Sequence, residues 1–188
     1  MDARAARSFL GARQRDRRPA LILSTAFALV QLLEALERFD LRFRLPPGSV
    51  VFETGGYKGR SREVPPGDLS QQLEDRLALQ PGSIVREYGM TELTSQFYTA
   101  TLTGGDPDIF HAPHWVRVRI LDPETLEETS PGTIGLICVF DLANLSSAIH
   151  LLTEDLGKVD QGGFRLLGRA AGAELRGCSL TVEELTRS

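Results

Sequence analysis

The sequence predicts an α/β fold in which a parallel βαβαβ sheet is followed by a small antiparallel or barrel-like β part and a very short C-terminal hinge segment. Three observations predict it. Short apolar runs alternate with stretches of helical period through the first half of the chain. Two of those runs end in glycine-rich sequence instead of an ordinary turn. Beyond Phe110 the helical period gives way to alternation of apolar and polar residues.

The elements follow in order. The first eighteen residues carry six arginines, Arg4, Arg7, Arg13, Arg15, Arg17 and Arg18, against Asp2 and Asp16, which suits a solvated helix or arm. A transit-like reading of that basic start finds no apolar signal core or small-residue cleavage site behind it. "ALIL" is a short buried strand. "TAFALVQLLEALERF" follows with Phe27, Val30, Leu33 and Leu36 at helical spacing and Thr25 as its cap. "SVVFETGG" is a second strand. "DLSQQLEDRLAL" reads as a helix starting after Pro65-Pro66-Gly67, and "SIVREYG" is a third strand. Strand–helix–strand spacing of this kind gives parallel crossover units. "HWVRVRILD", "TIGLICVFDL" and "HLLTEDLGKVDQGGFRLLG" supply the later, antiparallel strands. The expected organisation is a basic arm or helix at 1–18, a parallel α/β part at 19–109, an antiparallel part at 110–168, and a hinge with a truncated tail at 169–188.

Composition narrows the classes of function. The 188 residues are 41% apolar and 24% charged with a net charge of −4, so neither nucleic acid nor an anionic membrane is an expected partner. No stretch approaches the roughly 20 apolar residues of a membrane span. Two cysteines, Cys138 and Cys178, are too few for a disulfide framework. Cys138 lies in an apolar run and is expected to be a buried structural thiol. A cytoplasmic location is the expectation.

Ligands in open parallel sheets bind beyond the carboxyl ends of the strands. Here those ends read Glu53-Thr54-Gly55-Gly56-Tyr57-Lys58-Gly59 and Glu87-Tyr88-Gly89-Met90-Thr91-Glu92. Glycine lets backbone approach a ligand closely. A threonine hydroxyl beside backbone N–H groups holds a phosphate oxygen, and a glutamate binds Mg²⁺ through oxygen. Tyr88 has the shape to cover a purine. The plainer alternatives are a simple turn for "TGGYKG", which does not fit the G-x-x-x-x-G-K-[ST] phosphate loop, and a helix-capping role for Glu92.

"EYGMTE" resembles the signature of the adenylate-forming superfamily, which includes acyl-CoA ligases, luciferases and peptide-synthetase adenylation domains. "TGG" is similar to its adenine-seating glycines, and "LLTEDLGKVDQGGFRLLGRAAGAELRG" to its ribose-binding acid and Gly-Arg hinge. Within the superfamily, "ETGGYKG", "EYGMTELTSQFY" and "GRAAGAELRGCSL" look most like the acyl-protein synthetases of bacterial fatty-acid reductase complexes (LuxE-like), a bioluminescence-related family. The phenylacetate-CoA ligase branch is next. The resemblance implies formation of an acyl-adenylate from a fatty acid or other carboxylic acid with ATP and Mg²⁺, then transfer of the acyl group to a cysteine. It implies that Thr54, Gly55 and Gly56 line the adenine pocket and that Tyr88 and Gly89 flank adenine and the acyl carbonyl. Thr91 would touch the α-phosphate, Glu92 bind Mg²⁺, and Asp155 hold the ribose diol with Arg169 assisting. Cys178 would be the acyl acceptor, with Arg176 beside it to lower the thiol pKa. On the residues alone, Asp155 also reads as a surface turn acid and Cys178 as a small buried residue.

The superfamily's upstream T-S-G-T-T-G phosphate loop has no counterpart in these residues, and the resemblance extends only to the family's C-terminal half. The expected role is therefore that of a fragment or split half. An acyl reductase or a complementary N-terminal half would be its partner. The alternatives are a fragment of an acyl-CoA ligase and an inactive module that binds a nucleotide or acyl-adenylate.

Overall fold

The computed structural model describes residues 2–55 and 64–170, and the chain divides into two compact units. One contains the chain up to Arg86 together with Thr101–Gly104; the other contains Glu87–Ala100 and the chain from Gly105 onward.

The first unit is helical and parallel. Helix α1 (Ala3–Asp16) is capped by Asp2, whose carboxylate accepts from the Arg4 and Ala5 amides. Strand β1 (Leu21–Thr25) runs straight into α2 (Ala26–Arg38), and Thr25 makes the change by accepting the Ala28 amide at 3.2 Å. Strand β2 (Val50–Thr54) lies parallel to β1, in register from Leu21 opposite Val50 to Thr25 opposite Thr54. Helix α3 (Pro66–Leu77) places proline in its first turn, where no intrahelical amide bond is lost. Its Leu69, Leu73 and Leu77 recur every fourth residue and are fully buried. They meet Leu29, Val30, Leu33 and Leu36 of α2 and Val51 of β2 in one core. Strand β3 (Ile84–Tyr88) begins in this unit, where the Val51 amide donates to the Ser83 carbonyl. Alternation along β1 leaves Leu21 and Leu23 at 68% and 69% exposure.

The second unit is antiparallel. The end of β3 pairs with β4 (Phe97–Thr99), which pairs with β5 (Phe110–His111). The remaining strands are β6 (Val116–Leu121), β7 (Gly135–Asp141), β8 (His150–Asp160) and β9 (Gly163–Arg169). β5 pairs with β9, β9 with β8, β8 with β7 and β7 with β6, all antiparallel. The β8–β9 hairpin turns through Gln161 and Gly162 at φ 40° and 80°, the two positive angles of a tight hairpin that matches strand twist. Tyr88, Phe97, Phe110 and Phe164 pack with Ile120, Ile137 and Val139 as its core.

The α/β class and each strand and helix read from periodicity are present, but β1 is not the buried strand expected of "ALIL": Ala20 before it is buried, whereas Leu21 and Leu23 face outward. Strands β4 and β5 were not anticipated: they are three and two residues long. Glu92 does not cap a helix, because the residues after it form a turn and then strand β4.

Candidate functional site

Six of the candidate residues, Tyr88, Gly89, Thr91, Glu92, Asp155 and Arg169, belong to the second unit. Three of them meet. Asp155 on β8 stands opposite Arg169 on β9. The Tyr88 hydroxyl donates to Asp155 Oδ2 at 2.7 Å, and Arg169 Nε lies 3.3 Å from Oδ1. Arg169 also reaches Glu154 at 3.7 Å. The Asp155 amide donates to Thr153 Oγ1, whose own hydroxyl donates to the Ile137 carbonyl. The carboxylate is thus fixed from two sides and by its backbone, with its side chain 15% exposed. A carboxylate has about four acceptor positions. Among the described residues it has two side-chain partners, Tyr88 and Arg169, which leaves capacity for a pair of hydroxyls.

Tyr88 is held by its ring as well as its hydroxyl. Ring centroids of Phe97, Phe110 and Phe164 lie 5.7, 6.1 and 5.8 Å away. Burial, and then the adjacent Asp155 charge, raise its hydroxyl pKa well above the usual tyrosine range. It stays a neutral donor.

Thr91 and Glu92 sit in a turn closed by the Leu93 amide on the Met90 carbonyl at 3.2 Å. Both are exposed, and the Thr91 hydroxyl donates to Glu92 Oε2 at 3.3 Å. Gly89 precedes the turn. A Cβ there would come within 3.0 Å of Glu87 Oε1 and 3.3 Å of Gln96, so the position is tight for any side chain.

Sequence reasoning missed what anchors this turn. Asp141, at the end of β7, is fully buried and accepts from the Ser95 amide, the Ser95 hydroxyl and the Ala143 amide, each at 2.9 Å. Trp115 Nε1 donates to Ser95 Oγ at 2.9 Å. Asn144 donates to the Glu92 carbonyl at 2.7 Å and the Ala148 carbonyl at 2.9 Å, and it accepts from Thr94 Oγ1 at 3.0 Å. The only hint in the sequence was "DLAN", an acid and an amide closing an apolar strand.

Thr54 and Gly55 belong to the first unit. Thr54 closes β2, and Gly55 takes φ 63°, which glycine adopts without strain. Glu53, just before them, is buried, and one carboxylate oxygen has no hydrogen-bond partner among the described residues. Burial raises its pKa, against a smaller lowering by Arg86. Cys138 is buried as expected, with Sγ 3.3 Å from His150 Nε2, and burial pushes its thiol pKa up. Gly56, Arg176 and Cys178 lie outside the described residues.

Among the described residues no group of three or more His, Cys, Asp and Glu side chains is gathered as a metal cage. Mg²⁺ that accompanies a nucleotide needs only one or two carboxylates beside substrate phosphates. Glu92 with its neighbour Thr91 fits that modest demand.

Residues 9–186 match the model of a protein family described as acyl-protein synthetase, LuxE. Two long-chain-fatty-acid–luciferin-component ligases are similar in sequence. That of Aliivibrio fischeri is 25% identical over 142 residues, or 74% of this chain and 36% of the relative. That of Vibrio harveyi is 26% identical over 143 residues, or 71% of this chain and 36% of the relative. The chain thus spans about a third of the length of the curated relatives it matches. Among solved structures, ATP-bound MatB from Rhodopseudomonas palustris aligns with a TM-score of 0.60 at 19% identity, covering 90% of this chain and 33% of that one. At that identity the likeness speaks for the fold alone.

Proposed function

This chain belongs to the acyl-protein synthetase (LuxE) family, and from that premise we propose that it carries the nucleotide-facing part of a long-chain fatty acid–protein ligase. The observation that carries the reading is Asp155 held between Tyr88 and Arg169. Two donors orient the carboxylate, while spare acceptor positions among the described residues suit the vicinal hydroxyls of a ribose.

In this reading Thr54, Gly55 and Gly56 line the adenine pocket, and Gly89 gives room beside the acyl carbonyl. Thr91 donates to the α-phosphate. Glu92 would hold Mg²⁺, which would supply positive charge against the charge that builds up when two anions are joined. A fatty acid carboxylate oxygen bonds to the α-phosphorus, the bond to the bridging oxygen breaks, and pyrophosphate leaves. The Cys178 thiolate then attacks the acyl carbon. A C–S bond forms, the C–O bond to phosphate breaks, AMP leaves and the thiol proton passes to solvent. A partner of fatty-acid reductase type would take the acyl group onward. The phosphate loop of the superfamily has no counterpart in these 188 residues.

The test is acyl transfer itself. The purified chain is incubated with a radiolabelled long-chain fatty acid, ATP and Mg²⁺, alone and with a separately expressed N-terminal half of a relative. Hydroxylamine-labile label on the protein, lost in Cys178→Ser, is the expected result. Formation of acyl-CoA by Cys178→Ser when CoA is added would favour the acyl-CoA ligase reading instead. No label under either condition would reduce the chain to a binding module.

A further inference from the structure

We infer that Asn144, together with the Ser95–Asp141 pair, is a positioning device for the turn that carries Thr91 and Glu92. The inference rests on the nucleotide-site reading above and adds residues to it.

The Met90–Leu93 turn is weak by itself. One backbone hydrogen bond closes it, its Thr91 and Glu92 side chains are exposed, and the three residues after Leu93 form neither helix nor strand. An unsupported turn of this kind would sample many backbone states, and each residue fixed costs about 1–2 kcal/mol of conformational entropy. Catalytic and binding groups need a narrower spread than that.

The support comes from the loop that follows β7. Asn144 is 5% exposed, so its polar atoms need partners within the protein. Both amide hydrogens have one, the Glu92 and Ala148 carbonyls, and its oxygen takes the Thr94 hydroxyl. Three residues further along that loop's partner segment, Ser95 is bound by its amide to Asp141 Oδ2 and by its hydroxyl to Oδ1. A fully buried carboxylate with three donors is a rigid point, because losing any one strands charge in a dry interior. The grip is on backbone and on Thr94 and Ser95. It includes the carbonyl of Glu92 and not its carboxylate. Such an arrangement fixes where Glu92 starts while its acidic end stays exposed for other work.

The test uses the purified chain and two ligands. Asn144→Asp keeps the size but puts an acceptor against two carbonyls. Thr94→Val keeps the shape and removes one hydroxyl. Binding of Mg·ATP and of adenosine is measured by calorimetry for each variant. Asn144→Asp is expected to lose about tenfold in Mg·ATP affinity, the loss that one buried hydrogen bond brings, with adenosine affinity unchanged. Thr94→Val, the milder change, is expected to lose less in the same direction. Trp115 is the chain's single tryptophan and is bonded to Ser95. Its emission in nucleotide-free Asn144→Asp is expected to shift as the grip loosens.

Equal losses for both ligands, or a fall in thermal stability with Mg·ATP affinity intact, would overturn the positioning role in favour of a merely structural one. Unchanged Trp115 emission together with unchanged affinity would also overturn it. If the wild-type chain binds neither ligand while Asn144→Asp still shifts the emission, the nucleotide-site reading fails, and the positioning role falls with it.

Discussion

The two units are held together by different physics. In the first, Leu29, Leu33, Leu36, Leu69, Leu73 and Leu77 line up on helices, and the core is aliphatic. Its buried acid, Glu53, has an oxygen without a partner among the described residues. In the second, four aromatic rings pack among aliphatic side chains, and its buried acid, Asp141, has three donors. Apolar packing is non-directional and tolerant of side-chain exchange. A buried hydrogen-bond network is directional and intolerant of it. The unit that keeps most of the candidate residues is the one built on direction.

Two probes separate the units. The α-helices of the described residues lie in the first, and the single tryptophan lies in the second. Helical ellipticity and Trp115 emission therefore report different cores. Leu73→Ala, at a fully buried site, is expected to destabilise the helical signal by about 2–5 kcal/mol in a denaturant titration. The comparison breaks if the tryptophan signal moves by as much. Asp141→Ala is expected to cost roughly 3 kcal/mol in the tryptophan signal, since two amides and a hydroxyl lose a charged acceptor. Tyr88→Phe removes one hydroxyl from the core and one donor from Asp155, at about 1 kcal/mol of stability. It is expected to weaken adenosine binding more than it weakens the fold, and equal weakening would show that Tyr88 serves packing alone.

The last prediction has the opposite sign. A carboxyl whose pKa is raised by burial binds its proton more tightly in the folded state. Stability then falls as pH rises from the unfolded pKa through the folded one. Glu53→Gln removes that penalty. It is expected to stabilise the helical signal at pH 7 and to give no gain below about pH 4, where both forms of the chain are protonated. A gain independent of pH would mean that packing, not charge, is at stake.

The first unit was the more legible of the two. Leucines at helical spacing and a threonine before them predict α2 and its cap, because both signals are local. Strands β4 and β5 are short, and their existence depends on pairing with segments far along the chain, as in Tyr98 opposite His111 and Phe110 opposite Phe164. The site was half legible for the same reason. Asp155 and Arg169 could be chosen by resemblance. The bond from Tyr88 to Asp155, between residues 67 apart, comes from the tertiary fold. Beyond the "DLAN" that closes its strand, nothing near Asp141 announces that it will be dry, since its partner Ser95 stands 46 residues earlier.

Leu21 and Leu23 have a practical consequence. They project from a strand that, among the described residues, stands at the end of the strand order and is paired with β2 alone. A strand of this kind offers free backbone to any extended segment it meets, and two leucines make that meeting sticky. Purification yield should therefore fall with concentration and recover when Leu21→Lys or Leu23→Lys places a charge on the strand. These two positions, far in sequence from every candidate site residue except Thr54 and its glycines, are where an engineer would begin to make the chain tractable in a test tube.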